Sequence, residues 1–295
     1  LVKDEFGAWT TKAVTVRIDG VNDAPYLLDT TDISGTVTES GTGYTTTDPL
    51  TGHGNKAVQS SATVNNATVA GTNTIVGKFH VADDDSDLAT TNPFSLDATG
   101  SVVGTDGDGW ATYKTSYGYF HLNTATGDYT FVLDNTLPAV QALQQGDSKP
   151  VNIPIAVTDA YGAKLTFNYA LTVKGTNDQP VLTLSTTALT VTDGDTLSYS
   201  PSGTVVSVVD PDTSDTKTFG IVANTVQVTD TTTPTLGTSV NGSYGTFTVN
   251  ATSGAYTYTL ADNLAAVTKL DAGETLIEKF QVAVRDSKGA FDVKT

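Results

Sequence analysis

Hydrophobic and polar residues alternate along most of this chain. Thr246-Phe247-Thr248-Val249-Asn250 alternates, as do Ala255-Tyr256-Thr257-Tyr258-Thr259-Leu260 and Glu278-Lys279-Phe280-Gln281-Val282-Ala283-Val284. Tyr129-Thr130-Phe131-Val132-Leu133 and Ile153-Pro154-Ile155-Ala156-Val157 follow the same rule. A period of two in segments rich in Thr, Val, Tyr and Phe predicts strands with one face buried. Turn formers punctuate them at Asn123 to Gly127, Asp159 to Gly162, Asn250 to Gly254 and Asp286 to Gly289. Many short strands with regular turns predict an all-β chain of antiparallel sandwiches. Two segments depart from the pattern. Leu137-Pro138-Ala139-Val140-Gln141-Ala142-Leu143 and Leu264-Ala265-Ala266-Val267-Thr268-Lys269-Leu270 space apolar residues by three and four, which predicts a short helical turn crossing between sheets.

Those two segments are copies of one another. Residues 83–168 overlie 210–295 at an offset of 127, and the head overlies the end of the first copy at an offset of 155. In the second register Asp4-Glu5-Phe6-Gly7-Ala8 falls on Asp159-Ala160-Tyr161-Gly162-Ala163. Likewise Gly20-Val21-Asn22-Asp23-Ala24-Pro25 falls on Gly175-Thr176-Asn177-Asp178-Gln179-Pro180. Repetition at this length predicts tandem domains. The divisions are 1–23, a terminal strand of a preceding repeat; 24–178, a sandwich with a long insertion near 42–70; and 179–295, a second sandwich lacking its last strand. Glu39 to Asp83 is 44 residues and Asp193 to Asp210 is 17, which locates about 27 extra residues in the first unit. They read as a surface hairpin or loop, because insertions there cost little, or as a ligand-contacting surface. Ala13-Val14-Thr15-Val16-Arg17-Ile18 reads as a strand with no upstream domain to receive it. This predicts head-to-tail strand exchange, in which the head strand of one chain fills the tail edge of the next.

Composition narrows the function. A net charge of −17 argues against nucleic acid and against anionic membrane surfaces. No apolar run approaches the ~20 residues of a spanning helix, and no secretion signal opens the chain. The 295 residues include no Cys and no Met. There is therefore no disulfide framework, and a structural metal is the obvious staple. The acids are 28 Asp against four Glu. Asp favours turns and ligates calcium through oxygen.

These acids gather around the two Asn-Asp-x-Pro linkers, which proline stiffens. Asp4 precedes the first linker, Asn22-Asp23, and Glu39, Asp83 and Asp85 follow it. Asp159 precedes the second, Asn177-Asp178, and Asp193, Asp210 and Asp212 follow it; Asp286 would begin a third set. Crowded carboxylates repel unless a cation neutralises them, and calcium (Ca2+) takes six to eight such oxygens. The plain alternative is a set of Asx turns. Asp106-Gly107-Asp108-Gly109 does not recur in the second copy and reads as a glycine turn. His53, His80 and His121 have no partners at zinc spacing, and no nucleophile-elbow glycines support a hydrolytic triad. The expectation is that the chain is not an enzyme. Tyr117, Tyr129, Tyr244 and Tyr256 recur in register and read as core.

Taken together, Tyr-Gly-x-Phe, Gly-x-Tyr-x-(Phe/Tyr)-x-Leu, Ala-Val-x-x-Leu, Val-x-Asp and Gly-(Thr/Val)-Asn-Asp-x-Pro resemble the VCBS repeats of large bacterial adhesins. Ile33-Ser34-Gly35-Thr36-Val37-Thr38-Glu39 fits that family's opening. The resemblance implies Greek-key, cadherin-like or immunoglobulin-like sandwiches with calcium at their joints. It further implies an RTX-type adhesin exported by type I secretion to the cell surface, with a part in attachment and biofilm formation. The partners would be neighbouring repeats of the same adhesin. Asp193 stands where the first unit has Glu39, and the insertion exceeds a minimal repeat. Two other readings stay open: a carbohydrate- or protein-binding module using the insertion, and an accessory domain of a secreted hydrolase.

Overall fold

A computed structural model describes the chain except residues 1, 29–32, 42–60, 65–66, 71–72, 98–101, 106–108, 186–187, 194–201, 204 and 223–234. The alternating segments form strands throughout. In Gly118–Asn123 and Asp128–Leu133 every second residue is buried, because a pleated strand sends successive side chains to opposite faces. One five-stranded sheet runs in the order Val102–Thr105, Trp110–Lys114, Gly118–Asn123, Asp128–Leu133, Thr74–Lys78. A six-stranded sheet runs Ala67–Ala70, Ser61–Val64, Ser34–Thr38, Lys164–Lys174, Ser148–Thr158, Phe94–Leu96. The pairing is antiparallel, except that Ser34–Thr38 lies parallel to Lys164–Lys174.

The two sheets pack face to face. Ile75, Phe120 and Phe131 of one meet Val37, Ile155, Tyr169 and Leu171 of the other in a single core. Phe79 stacks on Tyr129 at 4.6 Å between ring centroids, and Tyr129 stacks on Phe120 at 5.4 Å. Each buried aromatic or aliphatic side chain contributes roughly 1.5–3 kcal/mol, and such terms hold the sandwich together.

A second core lies wholly within residues 182–284, around Leu182, Phe219, Phe247, Tyr256 and Val284. Its sheets run Ser202–Gly203, Tyr256–Leu260, Gly245–Val249, Ser239–Asn241 and Leu236–Gly237, Thr218–Val222, Gln281–Arg285, Phe291–Lys294. The chain is thus all-β, built as tandem sandwiches. The two helical turns, Pro138–Gln141 and Ala265–Thr268, occupy equivalent places. Each carries the chain from one sheet to the other and buries a single valine, Val140 or Val267. Among the described residues no helix is long and apolar enough to cross a membrane.

The hairpin turns also match. Asn123 Oδ1 accepts from the amides of Ala125 and Thr126, and Asn250 Oδ1 accepts from Thr252 and Ser253. Each turn closes on a left-handed glycine, Gly127 (φ 74°) or Gly254 (φ 69°). A Cβ on Gly127 would lie 2.5 Å from the Phe94 ring. Gly127→Ala should therefore cost about 1–2 kcal/mol from the backbone conformation alone, read as a lower denaturation midpoint with unchanged slope.

Several expectations are corrected. Residues 11–25 form no strand; the head instead pairs Val2–Lys3 with Trp9–Thr10. Glu278–Phe280 lie outside the strand that begins at Gln281. Tyr129 and Tyr256 are core residues, but Tyr117 and Tyr244 are only half-buried at the rims. In the insertion, Ser61–Val64 and Ala67–Ala70 form a hairpin added to the sheet edge beside Ser34–Thr38. Residues 42–60, with His53, and the 106–108 part of the proposed glycine turn lie outside the described residues.

Candidate metal centre

The direction of the strands decides which acids reach which linker. Lys164–Lys174 runs into the second linker, and Ser34–Thr38 runs parallel beside it. Glu39, the next residue, therefore arrives at the second linker and not the first. Its Oε1 accepts from Thr176 N at 3.0 Å, and its own amide donates to Lys174 O. The turn between Ser148–Thr158 and Lys164–Lys174 sits at the opposite end, so Asp159 faces the first linker.

At the first linker Asn22 Nδ2 donates to Asp159 Oδ2 at 2.7 Å, and Asp23 N donates to Asp85 Oδ2 at 2.6 Å. At the second, Asn177 Nδ2 donates to Asp286 Oδ2 at 2.9 Å, and Asp178 N donates to Asp212 Oδ2 at 2.7 Å. The two joints repeat the same bonds. Within each, a short Asp-x-Asp loop folds on itself: Asp85 N donates to Asp83 Oδ1, and Asp212 N to Asp210 Oδ1. Asp159 Oδ1 closes its turn by accepting from Tyr161 and Ala163, and Asp286 Oδ1 does so from Lys288, Gly289 and Ala290.

The grouping read from spacing is therefore shifted by one unit. Asp159 belongs to the first joint, while Asp286 and Glu39 belong to the second. Asp4 joins neither. It is exposed and caps its own turn, accepting from Phe6 and Ala8. Asp193 is half-buried, with no bond placing it at a joint. The structure adds residues that spacing left out. Asp87 brings an oxygen within 4.8 Å of those of Asp83 and Asp159. Asp215 accepts from Ser287 Oγ at 2.8 Å. Gln179, the variable position of the linker, donates its side-chain amide to Phe291 O. Asp87 and Asp215 stood in the quoted acidic runs, and their position as the last acid of each run was the available signal.

The donor set fits a hard cation. Glu39, Asp178 and Asp212 are at most 1% exposed. Asp83 Oδ2 and Asp87 Oδ1 at the first joint are buried and accept no hydrogen bond. The same holds for Glu39 Oε2, Asn177 Oδ1, Asp212 Oδ1 and Asp215 Oδ2 at the second. A buried carboxylate oxygen without a donor costs several kcal/mol unless something positive meets it. One cation is already at hand: Lys217 lies 3.3 Å from Asp210 Oδ2. Burial pushes the Glu39 carboxyl up to about 8, aided by Asp178, Asp212 and Asp147, against the bond from Thr176. Burial pushes Asp212 up to about 6, with Asp178, Asp210 and Asp215 adding to the rise. Asp210 and Asp87 are raised for the same reason, burial first and acidic neighbours after. Asp159 is held low, chiefly by the Asn22 amide. All-oxygen donors from carboxylate and amide suit calcium better than zinc or copper.

No model of a known protein family matches the chain, and no curated protein matches it. Among solved structures it is similar to PcdhgB3 EC1-4, at 12% identity and a TM-score of 0.39, over 92% of this chain and 48% of that one. Mouse cadherin-23 EC22-24 matches at 14% identity and 0.31, over 89% and 59%, and human CDH23 EC21-23 at 12% and 0.34, over 92% and 63%. This chain thus spans less than two thirds of each. The sheets and their pairing, not this likeness, define the fold.

Proposed function

We propose that this chain is a non-enzymatic spacer of a secreted, RTX-type bacterial surface adhesin, stiffened by calcium between its sandwiches and supporting attachment and biofilm formation. One observation carries the reading. Around the second linker, buried oxygens without donors converge from both sides: Glu39 before it, and Asn177, Asp212 and Asp215 within and after it. A cation there ties the end of one sandwich to the start of the next. Repetition of the same bonds at the first linker supports a structural unit that recurs along a longer protein.

Scattering in calcium and in chelator tests the reading. Calcium should give the longer and narrower distance distribution, and chelation a broader one as the joint hinges. Identical profiles would end the proposal. Asp178→Ala should reproduce the chelated profile in calcium, whereas Asp193→Ala should leave it unchanged.

A second reading rests on a different feature. An open groove of about 480 Å³, lined by Lys78, His80, Trp110 and Asp128 among others, offers an aromatic face beside charged groups. That combination suits a sugar. Glycan binding lost in Trp110→Ala would favour a carbohydrate-binding module.

A further inference from the structure

Three exposed residues of the head occupy places that are fully buried in the first sandwich. At the offset of 155, Val14, Val16 and Ile18 match Tyr169, Leu171 and Val173. The latter three are at most 1% exposed, and the head residues are 76–90% exposed. The head segment keeps the strand alternation but has no strand to join.

The second sandwich holds the complementary gap. In the first, Lys164–Lys174 is flanked on both sides along its last half. Ser148–Ile153 pairs with it antiparallel, with Lys149 opposite Val173 and Ile153 opposite Tyr169. Ser34–Thr38 pairs with it parallel. At the offset of 127 the antiparallel flank becomes 275–280, which forms no strand, leaving Leu276 38% and Ile277 79% exposed. At the Glu39–Asp193 register the parallel flank becomes 189–192, which also forms no strand. Leu189 and Val191 still turn inward onto the second core, with Thr190 and Thr192 outward. Two segments with strand patterning thus face a slot one strand wide.

We propose that residues 14–18 of one copy seat in this slot of a second copy, joining chains head to tail. The register follows from the first sandwich: Ile18 opposite Leu276, Val16 opposite Glu278 and Val14 opposite Phe280. The same strand lies parallel to 189–192. Main-chain bonds on both edges supply affinity, and burial of Val14, Val16 and Ile18 fixes the register, since a slip of one residue would turn them to solvent. A head strand cannot occupy its own chain's slot and another's at once, so the contact is heterologous and extends into linear assemblies.

The chain has no cysteine, which makes the test clean. Ile18→Cys and Leu276→Cys proteins, mixed and oxidised, should form a covalent dimer. Val16→Cys mixed with Leu276→Cys should not, because that diagonal is about 7–8 Å, too long for a disulfide. Sedimentation of the unmodified chain should show mass rising with concentration, and Val16→Asp should abolish the rise while leaving the melting curve unchanged. Equal cross-linking of both pairs, or a monomer at every concentration with no cross-link, overturns the proposal. Running both arms in calcium and in chelator keeps it separate from the metal reading.

Discussion

Adding calcium to metal-free protein should raise its melting temperature by roughly 5–10 °C. A ligand that binds only the folded state contributes about 2.7 kcal/mol at a hundredfold excess over its Kd, and each kcal/mol is worth roughly 2–4 °C at this domain size. The gain should be confined to the oxygens that lack donors. Asp212→Asn and Asp215→Asn should each lose most of it, because each removes an anionic oxygen that nothing else in the fold compensates. Asp193→Asn should keep it whole. Thermal scans with and without chelator measure this, and equal melting points for the unmodified protein in both would refute it.

The second large effect is in the pH dependence of the metal-free protein. Glu39 rises from 4.5 to about 8 on folding, and Asp212 from 3.8 to about 6. Both groups hold a proton more tightly folded than unfolded, so the folded state binds more protons between each pair of values. Stability must therefore fall as pH rises, from 3.8 to about 6 through Asp212 and from 4.5 to about 8 through Glu39. Asp159 works the other way, but its shift is downward from 3.8, so its contribution is complete before this window opens. In chelator the melting temperature should drop steadily toward pH ~8. Glu39→Gln should flatten the upper half of that drop and melt higher than the unmodified protein at its alkaline end. In calcium the slope should reverse, because a metal ligand must be deprotonated to bind. A metal-free protein whose stability is flat or rises over this range would contradict the assignment of Glu39 to a buried joint.

The strands were legible because their signal is local. Phe247, Val249, Tyr256 and Tyr258 announce one buried face at a period of two, and the same face is buried in the structure. The helical turns were legible from the spacing around Val140 and Val267. What spacing could not give is the end of the sandwich at which a residue emerges. Glu39 and Asp159 lie at opposite ends because Ser34–Thr38 runs parallel to Lys164–Lys174, whereas a hairpin turn carries Asp159. That parallel contact joins residues about 136 apart and leaves no trace in either segment. The head segment failed for a related reason. Val14, Val16 and Ile18 have the pattern of a strand, but a pattern becomes a strand only where a neighbouring edge offers its amides and carbonyls.

Glu39 crosses the boundary between the modules, and this has a mechanical meaning. Its backbone is fixed to one sandwich by Lys174 O, while its carboxylate sits among aspartates of the next. Tension along the polypeptide cannot open the joint by bending the linker alone; it must withdraw an acid that both modules share. A tether built this way yields in steps, each rupture costing the downstream neighbour part of its own anchorage, and calcium-poor surroundings would turn a stiff stalk into a slack cord.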